Sequence, residues 1–190
     1  MGLFDVLTGK RKIKQPAADR LFAMSTAGVT LETELGLGSA GRAAIVFQPL
    51  GTADFDQIVA DMEELVRSTG DETGTAVEKR DDKFGYRWMV LADPDMEDLV
   101  VGVNGVSTAL QGSGYGDRLL AAVFAFRDGA GKSVYWIYNY KRGTFYPFVP
   151  AAGEQQRDSE RELRLKAQIG HELPVEAELE RWFPLWGIPI

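Results

Sequence analysis

The sequence predicts an α+β fold, with a mixed, mainly antiparallel sheet built on a ferredoxin-like βαββαβ core, extra flanking strands and C-terminal helices. From Ala43 to Phe126 the periodic segments follow the order strand, helix, strand, strand, helix, strand. Within this unit, Leu119 to Phe126 is apolar on both faces, which is typical of an interior strand. A chain of 190 residues, 45% of them hydrophobic, allows one domain with a sizeable core. A secretion-chaperone-like α/β sandwich is the alternative.

The residues before this core predict a short helix and one flanking strand. Asp19 to Ala27 carries apolar residues at helical spacing, and Gly28 is expected to end that helix. An alternating pattern follows, as in a half-buried strand. The alternating positions are Val29, Leu31, Thr33 and Leu35.

Two amphipathic helices and a hairpin are predicted inside the core. Asp54 is expected to cap the first helix, which ends at Gly70. Its apolar stripe comprises Phe55, Ile58, Val59, Met62, Leu65 and Val66. The segments 77–81 and 86–91 flank a polar Asp-Lys-Phe-Gly turn, which predicts a hairpin. Asp93 is expected to cap the second helix, with Pro94 at its first position.

Beyond the core, Ser133 to Tyr140 and Thr144 to Val149 predict two more strands around a Lys-Arg-Gly turn. Ser159 and Glu162 have the spacing of a capping box, so a helix is expected there, and Pro174 is expected to begin another. Glutamates on these and earlier helices are interpreted as solvated faces. They are Glu63, Glu64, Glu160, Glu162, Glu176, Glu178 and Glu180.

These boundaries predict three parts of the chain. Residues 1–16 form an N-terminal apolar and basic segment, residues 17–150 the α+β core, and residues 151–190 a C-terminal helical extension packed on the core. The N-terminal segment places apolar side chains beside cations, as weak peripheral binding to an anionic membrane requires. Its residues are Leu3, Phe4, Leu7, Lys10, Arg11, Lys12 and Lys14. A helix docked on the core is the alternative interpretation of that segment.

Composition excludes several function classes. The formal net charge of −7 argues against nucleic acid as the main ligand, because phosphate neutralisation needs a basic face. The absence of cysteine excludes thiol catalysis and cysteine–zinc sites. The single histidine, His171, has no serine tied to it by a motif, so no catalytic residue, metal or cofactor is predicted. A cytoplasmic, non-enzymatic protein is expected, and peripheral membrane binding is the alternative that stays open.

Aromatic and basic residues concentrate at two places, around the Lys-Arg-Gly turn and near the C-terminus. Such residues provide a large contact area at little rotamer cost, which favours a protein-binding face. The candidate binding residues are Tyr140, Arg142, Phe145, Tyr146, Phe148, Trp182 and Trp186. A hairpin whose aromatic face closes the core is one alternative, and an enzyme or small-ligand-binding protein with a pocket lined by the same residues is the other.

Three segments resemble the PspA-associated protein B family: Met1 to Asp5, Tyr140 to Phe148 and Arg181 to Gly187. The resemblance implies an association with PspA, a phage-shock protein that coats stressed inner membranes, through name and gene neighbourhood. It implies no catalytic site. Together with the residue patterns, it favours an adaptor in a membrane stress response that contacts a PspA-like protein.

Overall fold

In the computed structural model, residues 20–190 are described, and they form four α-helices and one six-stranded sheet. The helices are α1 (Ala23–Thr33), α2 (Ala53–Thr73), α3 (Met96–Gly112) and α4 (Ser159–Ile169). The strands are β1 (Gly38–Phe47), β2 (Ala76–Asp81), β3 (Arg87–Ala92), β4 (Leu119–Arg127), β5 (Ser133–Asn139) and β6 (Thr144–Phe148). The α+β class predicted from the sequence is therefore confirmed.

The sheet has the strand order β2-β3-β1-β4-β5-β6, and every neighbouring pair is antiparallel. Its first four strands have the order of a ferredoxin-like βαββαβ unit, with α2 and α3 as the crossovers. Strand β4 lies between β1 and β5 and is buried along most of its length, as an interior strand must be. Strands β5 and β6 extend the sheet beyond this unit.

The two faces of the sheet are covered by different parts of the chain. Because side chains alternate along a strand, neighbouring residues belong to opposite faces. Ile45 and Phe124 belong to the core beneath the helices, whereas Val46 and Val123 belong to a second cluster. C-terminal side chains pack on that second face. We call residues 182–190, which include Trp182, Leu185, Trp186, Ile188 and Ile190, the strap.

The flanking strand expected at residues 29–35 is wrong, because helix α1 continues to Thr33. The buried residues of α1 include Met24, Ala27 and Leu31, at helical rather than alternating spacing. Gly28 does not end the helix. A Cβ atom at Gly28 would lie 3.2 Å from Cγ of Met96, so the glycine allows close packing against α3.

Both core helices begin at other caps than the sequence predicted. Helix α2 follows Thr52, whose hydroxyl accepts the Phe55 amide, and it ends at Thr73 with Gly74 as its C-cap, instead of at Gly70. Helix α3 follows Asp95, whose carboxylate accepts the Glu97 amide at 2.7 Å. The cap expected at Asp93 is therefore wrong. The Asp93 carboxylate instead accepts the Thr75 hydroxyl at 2.6 Å and is buried.

The C-terminal part contains one helix and one short 3-10 turn, Leu179–Arg181, instead of two helices. The capping box is also wrong, since Asp158 caps α4 by accepting the Arg161 amide at 3.0 Å. Glu162 and Glu176 are not solvated, with only 1% and 4% of each residue exposed. Both carboxylates lie inside because arginine side chains accompany them.

The expected membrane contact falls on residues 1–19, which lie outside the described residues. The part of the chain that the structure describes contains no helix that is both long and apolar enough to cross a membrane. The boundary at residue 16 likewise lies outside that part and stays a prediction.

Candidate functional site

The aromatic residues around the Lys-Arg-Gly turn lie mainly in the core. Tyr140 and Phe145 are buried beneath the helices, and Tyr146, Phe148 and Trp182 are buried under the strap side of the sheet. The strand period explains this division, because β6 sends successive side chains to opposite faces. Only two of the predicted contact residues keep a substantial exposed surface, and they are Arg142 and Trp186.

Arg142 joins the turn to the C-terminal part of the chain. Its guanidinium donates to the Glu176 carboxylate at 2.9 Å and approaches Glu178 at 3.4 Å. The Thr144 hydroxyl donates to the same Glu176 carboxylate at 3.1 Å. The hydrogen bond from Arg142 is the largest cause that lowers the pKa of Glu176 to about 2. Arg142 therefore acts as an internal anchor in this structure.

Hydrogen bonds fix the strap across the sheet at several points. The Tyr146 hydroxyl donates to the Phe183 carbonyl at 3.0 Å, and Arg157 donates to the Trp182 carbonyl at 2.6 Å. At the far end of the strap, Arg80 donates to the Pro189 carbonyl at 3.0 Å. Tyr135 of β5 donates to the Ile190 carbonyl at 3.3 Å, so the last two residues of the strap are bonded to different strands of the sheet, and the strap is held at both ends.

An apolar cleft of about 470 Å³ opens between the strap and the β2–β3 hairpin. We call it the aromatic cleft. Its walls are mainly apolar, and the two sides contribute aromatic rings that face one open space. The lining residues are Val46, Asp82, Phe84, Tyr86, Trp88, Leu120, Ala121, Asn139, Lys141, Tyr146, Phe183, Pro184, Leu185 and Trp186. A second hollow of about 380 Å³ shares Asp82, Phe84, Trp88 and Trp186 with it.

Three aromatic side chains of the cleft are exposed to solvent. Phe84 is 61% exposed, Phe183 59% and Tyr86 38%. Exposed large apolar groups that meet at one concave site mark an interaction surface better than scattered ones do. Sequence reasoning missed these residues as a site. Phe84 gave a usable signal, because an aromatic residue at the tip of a polar turn has no core to enter.

Asp82 holds the hairpin that carries Phe84 and Tyr86. One carboxylate oxygen accepts the Phe84 amide at 2.8 Å and the Tyr86 amide at 3.0 Å. The other oxygen accepts the Trp88 indole N–H at 2.9 Å. Gly85, with φ of +83°, occupies the left-handed position that the turn needs. The exposed rings are thus carried by a turn whose polar groups are satisfied.

The polar groups of the cleft leave one cation available. Asn139 accepts the backbone amide of Lys141 at 3.1 Å, and Asp82 is occupied as described. The Lys141 ammonium forms no ion pair with any side chain that the structure describes. Among those described side chains, no group of three histidines, aspartates or glutamates is arranged to hold a metal ion. The arrangement is suited to bind an apolar group beside a positive charge.

Comparison with known proteins identifies the family. A family model described as PspA associated protein B matches residues 1–190, the whole length of the sequence. No curated protein and no solved structure gives a significant match. The match confirms the resemblance carried by the N-terminal, aromatic-turn and C-terminal motifs. The chain belongs to the PspA associated protein B family.

Proposed function

We propose that this protein is a non-enzymatic adaptor that contacts a PspA-like protein in a phage-shock-type membrane stress response, and that the aromatic cleft is its contact surface. The family name supports the partner. The observation that carries the site is the convergence of Phe84, Tyr86 and Phe183, all exposed, on one apolar cleft. We expect the protein to act from the cytoplasm, as its composition predicts.

The energetics of the cleft favour a protein segment as its occupant. Aromatic residues dominate binding energy when a partner removes them from water. Covering the exposed parts of Phe84 and Phe183 would bury apolar area that the free protein leaves hydrated. A concave site of about 470 Å³ accommodates a few large side chains of a partner.

The residues expected at the contact surface divide between two roles in this proposal. Tyr146 and Trp186 form the floor and one wall of the cleft. The other aromatic residues act indirectly, by fixing the strands and the strap that shape it, and Arg142 anchors the turn. The indirect group is Tyr140, Phe145, Phe148 and Trp182.

A small-molecule ligand is the second candidate, and the cleft volume favours it. A space of about 470 Å³ lies in the range of sites for small molecules. The small number of polar groups directed into the cleft argues against tight and specific recognition, because such sites normally place several donors and acceptors around the ligand. The adaptor function is therefore preferred.

The proposal is tested by titrating the full-length protein with purified PspA from the same organism in a calorimeter. The double variant Phe84→Ser/Phe183→Ser removes both exposed rings. We expect its affinity to fall about ten-fold or more, as for central aromatic contacts. Phe22→Ala is the matched control, since Phe22 is 41% exposed in the segment that leads into α1, outside the lining of the cleft.

Melting temperatures and circular dichroism must show that both variants are folded. Equal PspA affinity for the wild type and the double variant would refute the cleft as contact surface. Absence of PspA binding by the folded wild-type protein would refute the adaptor proposal itself.

A further inference from the structure

We infer that the partner segment bound in the aromatic cleft is acidic, with carboxylates placed beside the apolar side chains that fill it. This inference rests on the proposed function and adds the chemistry of the occupant. It depends on which charges around the cleft are already paired and which are available. Two lysines and the neighbouring acidic residues decide the question.

Each of the two adjoining hollows has one available cation. Lys141 lines the aromatic cleft, and Lys83 lines the second hollow. Neither ammonium group forms an ion pair with another described side chain. The Lys83 ammonium lies 5.2 Å from the centre of the Phe84 ring, so it stands beside an aromatic residue that a partner would cover.

The acidic groups of the same surface are occupied. Asp82 accepts two backbone amides and the Trp88 indole. Asp81 lies in the second hollow, and its carboxylate accepts a hydrogen bond from Nε of Arg87 at 2.7 Å. Asp81 is therefore paired with a cation, whereas Asp82 is bound only by neutral N–H groups and keeps its negative charge.

The remaining cation of the second hollow is also engaged. Arg80 binds the Glu78 carboxylate at 2.7 Å and donates to the Pro189 carbonyl. Along the two hollows, the two lysines without an ion pair outnumber the single carboxylate without a cation, Asp82, so the local balance is positive although the whole protein carries a net charge of −7. A local excess opposite in sign to the rest of the molecule is a feature of electrostatic complementarity.

An incoming apolar segment would reduce the hydration of both lysines. An ammonium that loses water without gaining a partner is costly, whereas a carboxylate placed beside it offsets that loss. A lysine or arginine of the partner at the same position would be repelled. The cleft therefore selects apolar residues flanked by aspartate or glutamate over apolar residues flanked by cations.

Two small probes of the same shape test the charge preference directly. The full-length protein is titrated with 3-phenylpropionate and with 3-phenylpropanamide, and amide and indole resonances are followed by NMR. We expect both probes to shift the Trp186 indole resonance, with the carboxylate binding about five-fold tighter than the amide. The variant Lys141→Glu should abolish that difference, because it replaces the cation by an anion. Equal affinity of wild type for both probes would overturn the inference.

Lys132→Glu is the matched control, since it makes the same change in net charge at a different place. Lys132 is exposed in the turn before β5, at the opposite end of that strand from Asn139, about 20 Å along the chain. The Lys132→Glu variant should prefer 3-phenylpropionate over 3-phenylpropanamide as strongly as wild type does. A loss of preference as large as in Lys141→Glu would show a general charge effect and would also overturn the inference.

A second arm uses PspA and separates this inference from the proposed function. The variant Lys83→Glu/Lys141→Glu should bind PspA about ten-fold more weakly than wild type in low salt, and the difference should shrink in high salt. Loss of PspA binding on removal of Phe84 and Phe183, with no effect of the two charge changes, would overturn the acidic occupant and leave the adaptor function standing. Absence of effect from both sets of variants would remove the cleft from the proposed function as well.

Discussion

Arg142 and Glu176 form an ion pair, 2.9 Å between Nε and a carboxylate oxygen, that joins two segments separated by 34 residues. The glutamate is almost completely buried, whereas 39% of the arginine side chain is exposed. A buried carboxylate requires its cation more than the exposed cation requires the carboxylate. The pair therefore holds the C-terminal segment against the β5–β6 turn, and its loss should be visible in stability.

Glu176 should make stability depend on acid pH. Its pKa is lowered from 4.5 to about 2 in the folded protein, so its stabilising contribution is complete above pH 4.5 and is lost as the pH falls towards 2. The variant Glu176→Gln lacks this contribution. We expect it to be about 1–2 kcal/mol less stable at neutral pH, less than the pKa shift alone implies because Arg142 is partly solvated.

Thermal melts of wild type and Glu176→Gln between pH 7 and pH 2 test this expectation. The melting temperatures of the two proteins should converge as the pH falls below 4.5. A constant difference over the whole range would assign the effect to packing instead of charge.

Gly143 should resist substitution because of its backbone conformation. Its φ of +67° belongs to the left-handed region, and its amide donates to the Asn139 carbonyl at 2.8 Å. Gly143→Val should cost about 1–3 kcal/mol in denaturant unfolding. Gly129→Ala is the control, since Gly129 has no positive φ and no heavy atom within 4 Å of an added Cβ. Equal destabilisation of both variants would contradict a conformational cause.

The core topology could be predicted because its elements have strong and different periods. Helix α2 repeats at helical spacing over many turns, and β4 is a short run that is apolar on both faces, which favours an interior strand. Residues 29–35 fit both patterns over a short length, and the burial of Met24, Ala27 and Leu31 in the core decides for the helix. Tertiary packing, which one sequence does not display, overrides such a local pattern.

The site was harder to predict because exposure depends on distant parts of the chain. Tyr146 and Phe183 are both aromatic, yet Tyr146 is 3% exposed and Phe183 59%. The difference arises because the strap covers Tyr146, whereas Phe183 is part of the strap itself. Burial of the carboxylates likewise depends on their arginine partners. Glu162 pairs with Arg157 nearby in the sequence, whereas Glu176 pairs with Arg142, which is 34 residues away.

Arg157 should be important for stability through two acceptors. It donates to Glu162 at 2.9 Å and to the Trp182 carbonyl at 2.6 Å. Arg157→Met leaves a buried carboxylate without its cation and should cost about 2–4 kcal/mol. Burial raises the pKa of Glu162 even with Arg157 present. The stability loss of Arg157→Met should therefore become smaller at lower pH, as the carboxylate takes up a proton.

The double variant Arg157→Met/Glu162→Leu tests this mechanism by urea unfolding. It removes both charges together and should recover part of the lost stability. A double variant less stable than Arg157→Met would show that the Glu162 hydrogen bond to the Val149 amide matters more than the unpaired charge.

The strap should keep the second face of the sheet from self-association. Truncation after Trp182 removes residues 183–190 and uncovers apolar side chains that include Ala44, Val123 and Ile137. Contiguous exposed apolar surface favours association. We expect the truncated protein to bind the dye ANS and to form oligomers in light scattering. A monomer that ignores the dye would contradict this role of the strap.

Asp82 should affect partner binding through the hairpin that it holds. Asp82→Ala removes the acceptor for the Phe84 and Tyr86 amides and for the Trp88 indole, so we expect a stability loss of about 1–2 kcal/mol. Because the hairpin then samples other conformations, PspA affinity should fall about five-fold. Asp82→Asn keeps one side-chain oxygen for the two amides, so it should retain most of the affinity while losing the indole acceptor. Calorimetry with PspA and thermal melts distinguish the two variants. If both variants bind like wild type, the order of the hairpin does not matter for binding, and Phe84 cannot be a preorganised contact.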